Sequence, residues 1–580
     1  MKRSKKRRNL TKAALLLLGV AFFAAGCGQA SYEKAPVSDH IAVVDKAALY
    51  TEPVEEPVLY LTVGKNEGGR KSEHIWDEIN GYSLDWYEEN EIKPYECDAL
   101  VQFGNEEGPT KDGYGFTDLS SNAKVRLTGK KASLRQQKSY KITIYSDAGS
   151  IDGMKSVLLQ KCFTDPFRFT NKLCFDLMQE SDALMSVRTQ FVHLYVKDET
   201  EGKNSLFEDY GLYTMTETIN KRYLKNRDLD SSGELYKAVD LDFTRHEDVL
   251  VSATDAAYNE EKFEQILEPK GSNDYSKLLR LLDAANDENL SIEELVDTYF
   301  DKENLYTWMA FNILMGNTET ATENFYLYSP TGTEKFYIIP WDNDGALRQD
   351  YEKLRDPDYS EGWKKGIHIY AQSTLFSRIL QSSVCVDELT SYVEKLHGGI
   401  LSGDNVLAKA KALGAQVTPT LYKMPDMVFA RVTEENYNKL MDAIPSRIDS
   451  LYQAYYDSIK TPGPFHIHTP ALKDGKIVFS WDPAAAPGGK VKYSLFIADS
   501  WDFENKVTEQ RNITECEYVV GHLPPGQYFA QVSAQTEDGH SQSAYENYRT
   551  EKDTVAEGVL CFYVLEDGTV TEALSHQTDE

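Results

Sequence analysis

The period of the apolar positions changes several times along this chain. Val58–Val63, 123–127 and 139–145 are short runs rich in β-branched and aromatic residues, which predicts strands. Phe169, Leu173, Leu177 and Met178 recur at helical spacing, and the period is helical again over 276–316. There, Ser291 with Glu294 predicts a capped helix start, and Leu305, Trp308, Met309 and Ile313 form one stripe ending at Gly316. The runs 325–328 and 336–339, joined through Ser-Pro-Thr-Gly-Thr, predict a hairpin. Helices are expected to dominate 374–460. From Thr461-Pro-Gly-Pro464 onward the period is two: Ile477, Phe479 and Trp481 alternate with polar residues, as do Val491, Tyr493, Leu495 and Ile497, then Tyr528, Ala530, Val532 and Ala534. Such segments, separated by Gly/Pro/Asp turns, predict a β-sandwich.

The first residues predict an address. Seven basic residues precede an apolar run from Ala13 to Ala25, then small residues and Cys27. A charged start, a short apolar stretch and small residues at a cut site read as a secretory signal, since the run is too short to span a bilayer. Cys27 directly after Ala-Ala-Gly resembles a bacterial lipobox. That implies a signal over 1–26, lipidation at Cys27, anchorage outside the cytoplasmic membrane, and a tether over 27–54.

Loss of those seven charges takes the formal net charge from −30 to −37. A surface this acidic repels nucleic acid and suits a basic partner. The six remaining cysteines are widely spaced, without Cys-x-x-Cys, and predict neither a disulfide framework nor a metal site. Cys162 and Cys174 read as core thiols. His466 and His468 read as surface residues.

The most informative stretch runs from Asn317 to Asn324 and, one hairpin later, from Pro340 to Gly345. It supplies a carboxylate at Glu319, an amide at Asn324, and carboxylates at Asp342 and Asp344 beside a glycine. Phosphoryl transfer from a nucleotide requires this order: a group facing the attacking hydroxyl, then oxygen ligands for magnesium. Two aspartates two apart on a strand would share one face and one cation.

Several segments in order carry a resemblance to the spore-coat CotH kinase family over roughly residues 55–400. They are Arg126-Leu-Thr-Gly129 through Gln137-Lys-Ser-Tyr-Lys141, Tyr210-Gly-Leu-Tyr213 with Glu217, Gly233-Glu-Leu-Tyr-Lys237, Asn312 to Asn317, the Asn-Phe-Tyr-Leu-Tyr strand and Pro-Trp-Asp-Asn-Asp. The resemblance implies an α+β, atypical protein-kinase-like domain over 55–460 that transfers phosphoryl groups from ATP to protein. Within it, Lys138 and Arg126 would contact nucleotide phosphates, Glu217 would orient the lysine or line the nucleotide pocket, and Asn324, Asp342 and Asp344 would hold Mg²⁺. Trp481 and Leu523-Pro-Pro-Gly-Gln-Tyr528 resemble a fibronectin type III module, an all-β sandwich over 461–560 followed by a tail over 561–580.

Two departures matter. The family usually has aspartate where this chain has Glu319, and its Arg-Gly-Asn-Ser-Ser is here Arg-Leu-Thr-Gly-Lys-Lys-Ala-Ser. Glutamate extends the reach by one methylene, and a misplacement of ~1 Å can cost ~100-fold in rate. The expectation is an extracytoplasmic, lipid-anchored, ATP- and Mg²⁺-dependent kinase acting on Ser or Thr of a basic or Ser-rich envelope or coat protein, with Glu319 in the catalytic position. The alternative is a catalytically impaired pseudokinase serving in surface binding, adhesion or envelope structure. A carbohydrate-associated envelope protein is a third reading, for which no acid pair is assignable.

Overall fold

The computed structural model describes residues 43–50, 56–64, 73–200, 206–357, 359–486, 490–550 and 554–572. The signal segment, Cys27 and the start of the expected tether lie outside these residues. The strands of the N-terminal half are β1 (Val58–Val63), β2 (Cys97–Asn105), β3 (Gly108–Pro109), β4 (Ala123–Thr128), β5 (Ser139–Ile144), β6 (Ser156–Gln160), β7 (Thr189–Asp198) and β8 (Glu208–Glu217). β1 pairs antiparallel with β2 and parallel with β7, so the order β1-β7-β8-β6-β5-β4-β2 returns to its start and closes a barrel. Closure removes the exposed edges that would otherwise template aggregation. Its interior is filled by alternate residues of every strand, among them Leu61, Val101, Val125, Ile142, Leu159, Leu194 and Met215. Arg126 and Lys141 are register partners on the opposite, outer face.

A second sheet has the order β10-β9-β11-β12, from β9 (Glu234–Ala238), β10 (Leu267–Pro269), β11 (Phe325–Ser329) and β12 (Tyr337–Pro340). The last two form the expected hairpin, with Phe325 opposite Pro340. Every residue of both strands is buried. Helix Lys302–Met315 packs against them: the Ile338 N–H donates to Asn304 Oδ1 at 2.6 Å, and Asn304 Nδ2 donates back to the Ile338 carbonyl at 3.1 Å. The sequence pattern gave this helix one apolar stripe, but from Asn304 to Met315 it is buried on all sides. A helix apolar all round belongs in the middle of a core, and this one crosses the largest core of the molecule. It ends as expected at Gly316, whose φ of 63° is left-handed. Ser291 caps its predecessor, Ile292–Tyr299, by accepting from the Glu294 N–H. Helices Thr374–Gln381, Ser383–His397, Gly403–Leu421, Glu434–Asp442 and Ile444–Ser458 complete this part.

Among the described residues beyond Thr461 every regular element is a strand. Two sheets, one built on Lys476–Ser480 and one on Val491–Ala498 and Gly526–Thr536, share a core that includes Phe479, Trp481, Leu495, Val532 and Phe562. The end of the expected tether is also packed. Arg227 reaches Asp45 at 2.8 Å and the Tyr50 hydroxyl at 2.8 Å.

Candidate active site

The hairpin of β11 and β12 positions the acidic stretch. At its open end the Trp341 N–H donates to the Asn324 carbonyl at 3.1 Å. Strand pairing then stops, because Asp342 adopts φ 46° and Asn324 φ 64°. Asn and Asp tolerate the left-handed region better than most residues, and such backbone recurs at functional sites. The strand ends at Pro340, so the turn after it, rather than the pleat of a strand, brings Asp342 and Asp344 together. The Asn343 N–H between them is held at 2.9 Å by Asn171 Oδ1, from the start of helix Thr170–Met178. Thr164 Oγ1 donates to Asp344 Oδ2 at 3.3 Å. Gly345 passes close to the end of helix Lys302–Met315: a Cβ there would lie 2.9 Å from Asn317 Oδ1 and would displace that side chain.

Glu319 and Asn324 lie on the facing loop. Asn324 Nδ2 donates to the Glu319 carbonyl at 2.9 Å, which leaves Oδ1 for another partner. The Glu319 carboxylate is half-exposed and its nearest cation is Arg348, 3.9 Å away. Burial and then the charges of Asp344 and Glu319 push the Asp342 carboxyl up to about 8, with Lys237 opposing. Asp344 is raised by burial and then Glu319, with Arg348 and Lys131 opposing. Glu323 is raised by burial and then Glu319. Four carboxylates thus act on one another here, with Lys131, Lys237 and Arg348 as the opposing cations.

The sequence-predicted residues divide into two groups. Glu319, Asn324, Asp342 and Asp344 come together. Lys138 stands just before β5, where its Nζ donates to the Ser133 carbonyl at 2.5 Å and partial burial lowers its pKa. Arg126 lies on β4, 4.0 Å from Glu96. Glu217 lies elsewhere. Its buried carboxylate takes Arg188 at 2.6 Å and Arg227 at 3.1 Å, a network that continues to Asp45. Both its oxygens bond arginines, and Lys138 bonds the Ser133 carbonyl instead.

Sequence reasoning passed over Lys237, Lys131, Glu323, Thr164 and Arg348. Lys237 was within reach: it closes the Gly-Glu-Leu-Tyr-Lys segment, and the structure puts it on β9 opposite Tyr326, with its Nζ 3.2 Å from Glu268. Lys141 carried a similar signal. Burial lowers its pKa, and the neighbouring charges are Arg126, Lys270 and Glu268, so the outer face of β4 and β5 meets β10.

Among the described residues, no three His, Cys, Asp or Glu side chains converge closely enough to hold a metal by themselves. The donor set still fits a hard cation. Mg²⁺ takes one or two carboxylates and fills its remaining positions with water and phosphate oxygens. Two repelling carboxylates plus the free Asn324 Oδ1 match that demand.

Residues 125–451, more than half the chain, match the family described as CotH kinase protein. The chain is 24% identical over 330 residues to the inner spore coat protein H of Bacillus subtilis (strain 168), covering 56% of this chain and 83% of that protein. Among solved structures, the Helicobacter pylori proinflammatory kinase CtkA matches at 11% identity and a TM-score of 0.24, over 55% of this chain and 94% of that one. By the extent of its family match, this chain belongs to the CotH kinase family.

Proposed function

We propose that this protein is an ATP- and Mg²⁺-dependent kinase that phosphorylates Ser or Thr of envelope or coat proteins. The observation that carries this reading is the pair Asp342 and Asp344, held in mutual repulsion beside a free amide oxygen and Lys237. Protein folds avoid such pairs unless a cation or a proton relieves them. Bound Mg²⁺ would neutralise charge on the nucleotide phosphates. The chain's own part is positional: Asn171 holds the Asn343 N–H between the two aspartates, Thr164 bonds Asp344, and Lys131 and Lys237 supply the opposing positive charge. Glu319 takes the position facing the acceptor hydroxyl, with Arg348 beside it.

The address follows from the sequence and from kinship. Lipidation at Cys27 would anchor the protein outside the cytoplasmic membrane, and a relative named as an inner spore coat protein supports an extracytoplasmic or coat setting. No helix among the described residues is long and apolar enough to cross a membrane. The C-terminal sheets support a fibronectin type III-like module: Trp481 is buried in their core, and the Tyr528 hydroxyl donates back to the Pro524 carbonyl at 3.0 Å, as in the tyrosine corner of such sandwiches.

The test is a thermal-shift titration with Mg²⁺ and ATP followed by transfer of labelled γ-phosphate to a basic, Ser-rich protein. An Mg²⁺-dependent shift with transfer supports the proposal. A shift without transfer supports the pseudokinase.

A further inference from the structure

The loop after β6 carries a second charged cluster beside the site. Thr164 bonds Asp344, and the neighbouring Phe163 ring is surrounded by three arginines. The guanidinium carbons of Arg431, Arg135 and Arg168 lie 4.4, 5.3 and 5.7 Å from its centroid. They arrive from three separate parts of the fold: Arg135 from the β4–β5 connection, Arg168 from the segment before helix Thr170–Met178, and Arg431 from beyond the short turn Asp426–Phe429.

Arg168 is the fixed member. It is 4% exposed and donates to the Lys161 carbonyl at 2.8 Å and the Phe429 carbonyl at 2.9 Å. Its Nε has no hydrogen-bond partner among the described residues. Arg135 and Arg431 are exposed, and among the described residues neither has a carboxylate partner. The acids nearby are already committed. Asp426 pairs with Lys161 at 2.8 Å and accepts from the Leu212 N–H, while Asp165 takes the N–H groups of Phe167 and Thr170.

Three like charges on one ring repel, and an aromatic face returns only about 0.5–1 kcal/mol to each exposed cation. In a chain where acids outnumber bases 92 to 62, carboxylates were abundant, yet among the described residues none pairs with Arg135 or Arg431. An arrangement of this kind awaits an anion from outside. A phosphorylated side chain fits best, because it brings roughly two negative charges and several acceptor oxygens to planar, bidentate donors.

We propose that Arg135, Arg168 and Arg431, gathered around Phe163 beside Asp344, form a docking site for a phosphoserine or phosphothreonine of the protein acceptor. The inference rests on the kinase reading for the identity of that acceptor. It alters the expected partner: Ser-rich segments already carrying phosphate would bind better than bare ones. The cations facing the aspartates are other residues, Lys131, Lys237 and Arg348.

The experiment measures fluorescence anisotropy of a labelled Gly-Ser peptide with one phosphoserine, beside its unphosphorylated twin, on the full chain and on Arg135→Ala/Arg431→Ala. Arg168 is left intact because its backbone bonds hold the loop. The full chain should prefer the phosphopeptide by about tenfold, the scale of one charge-assisted hydrogen bond. The variant should lose that preference while keeping its Mg²⁺–ATP thermal shift. No preference in the full chain, a preference retained by the variant, or an equal loss of the ATP response each overturns the proposal, the last by assigning the arginines to the nucleotide. Failure of the kinase reading looks different: no ATP response in the full chain, with the phosphopeptide preference intact.

Discussion

Asn324 Nδ2 donates to the backbone carbonyl of Glu319 at 2.9 Å, so the amide next to the aspartates is locked to the loop that carries Glu319. Asn324→Gly keeps the left-handed backbone and removes both the bond and the free oxygen. It should cost about 1 kcal/mol of stability and abolish the dependence of ATP binding on Mg²⁺. An unchanged Mg²⁺ dependence in a calorimetric titration would remove Asn324 from the ligand set.

The pH response of the aspartates has a definite sign. Burial and the neighbouring carboxylates raise Asp342 to about 8 and raise Asp344 as well. The folded state therefore holds protons that the unfolded state releases near pH 4. Stability from this source is present below the unfolded value and is lost as pH rises from about 4 to about 8. Without metal, melting temperature should fall over that window, and Asp342→Asn should flatten the fall. Added Mg²⁺ should restore more at pH 8 than at pH 5. Equal restoration at both would place the cation elsewhere.

Glu217 is a stability residue in this structure. Glu217→Gln takes the carboxylate from buried Arg188 and leaves Arg227 with Asp45 alone; breaking a buried pair costs about 3–5 kcal/mol. Denaturant unfolding should show a loss of that order, while the folded fraction keeps its ATP response. A variant that stays stable yet binds ATP more weakly would return Glu217 to the nucleotide pocket.

What the sequence made legible was local. The capping serine at Ser291, the left-handed Gly316 and the hairpin around 325–339 each depend on a few neighbouring residues, and all three appear where the pattern put them. The grouping of Glu319, Asn324, Asp342 and Asp344 was legible for the same reason, since one hairpin joins them. Barrel closure was not, because the β1–β7 and β1–β2 pairings link residues far apart in the chain. The surroundings of Glu217 were hidden because its partners Arg188 and Arg227, and Asp45 beyond Arg227, are set by tertiary packing and carry no spacing signal. The clustering of Arg135, Arg168 and Arg431 on Phe163 was hidden likewise.

Glu319 stands 3.9 Å from Arg348 Nη1, and its side chain is one methylene longer than the aspartate expected there from the resemblance. Glu319→Asp should raise turnover with little change in ATP affinity. A lower rate would show that the site is built around glutamate and Arg348.

The most direct test incubates the purified protein with Mg²⁺ and γ-labelled ATP, alone and with a basic Ser-rich protein, beside Asp342→Ala. Label should appear on protein in a Mg²⁺-dependent manner and vanish in the variant. No transfer together with no ATP-induced thermal shift, or equal transfer by Asp342→Ala, would contradict the assignment of Asp342 and Asp344 as the centre of a kinase site.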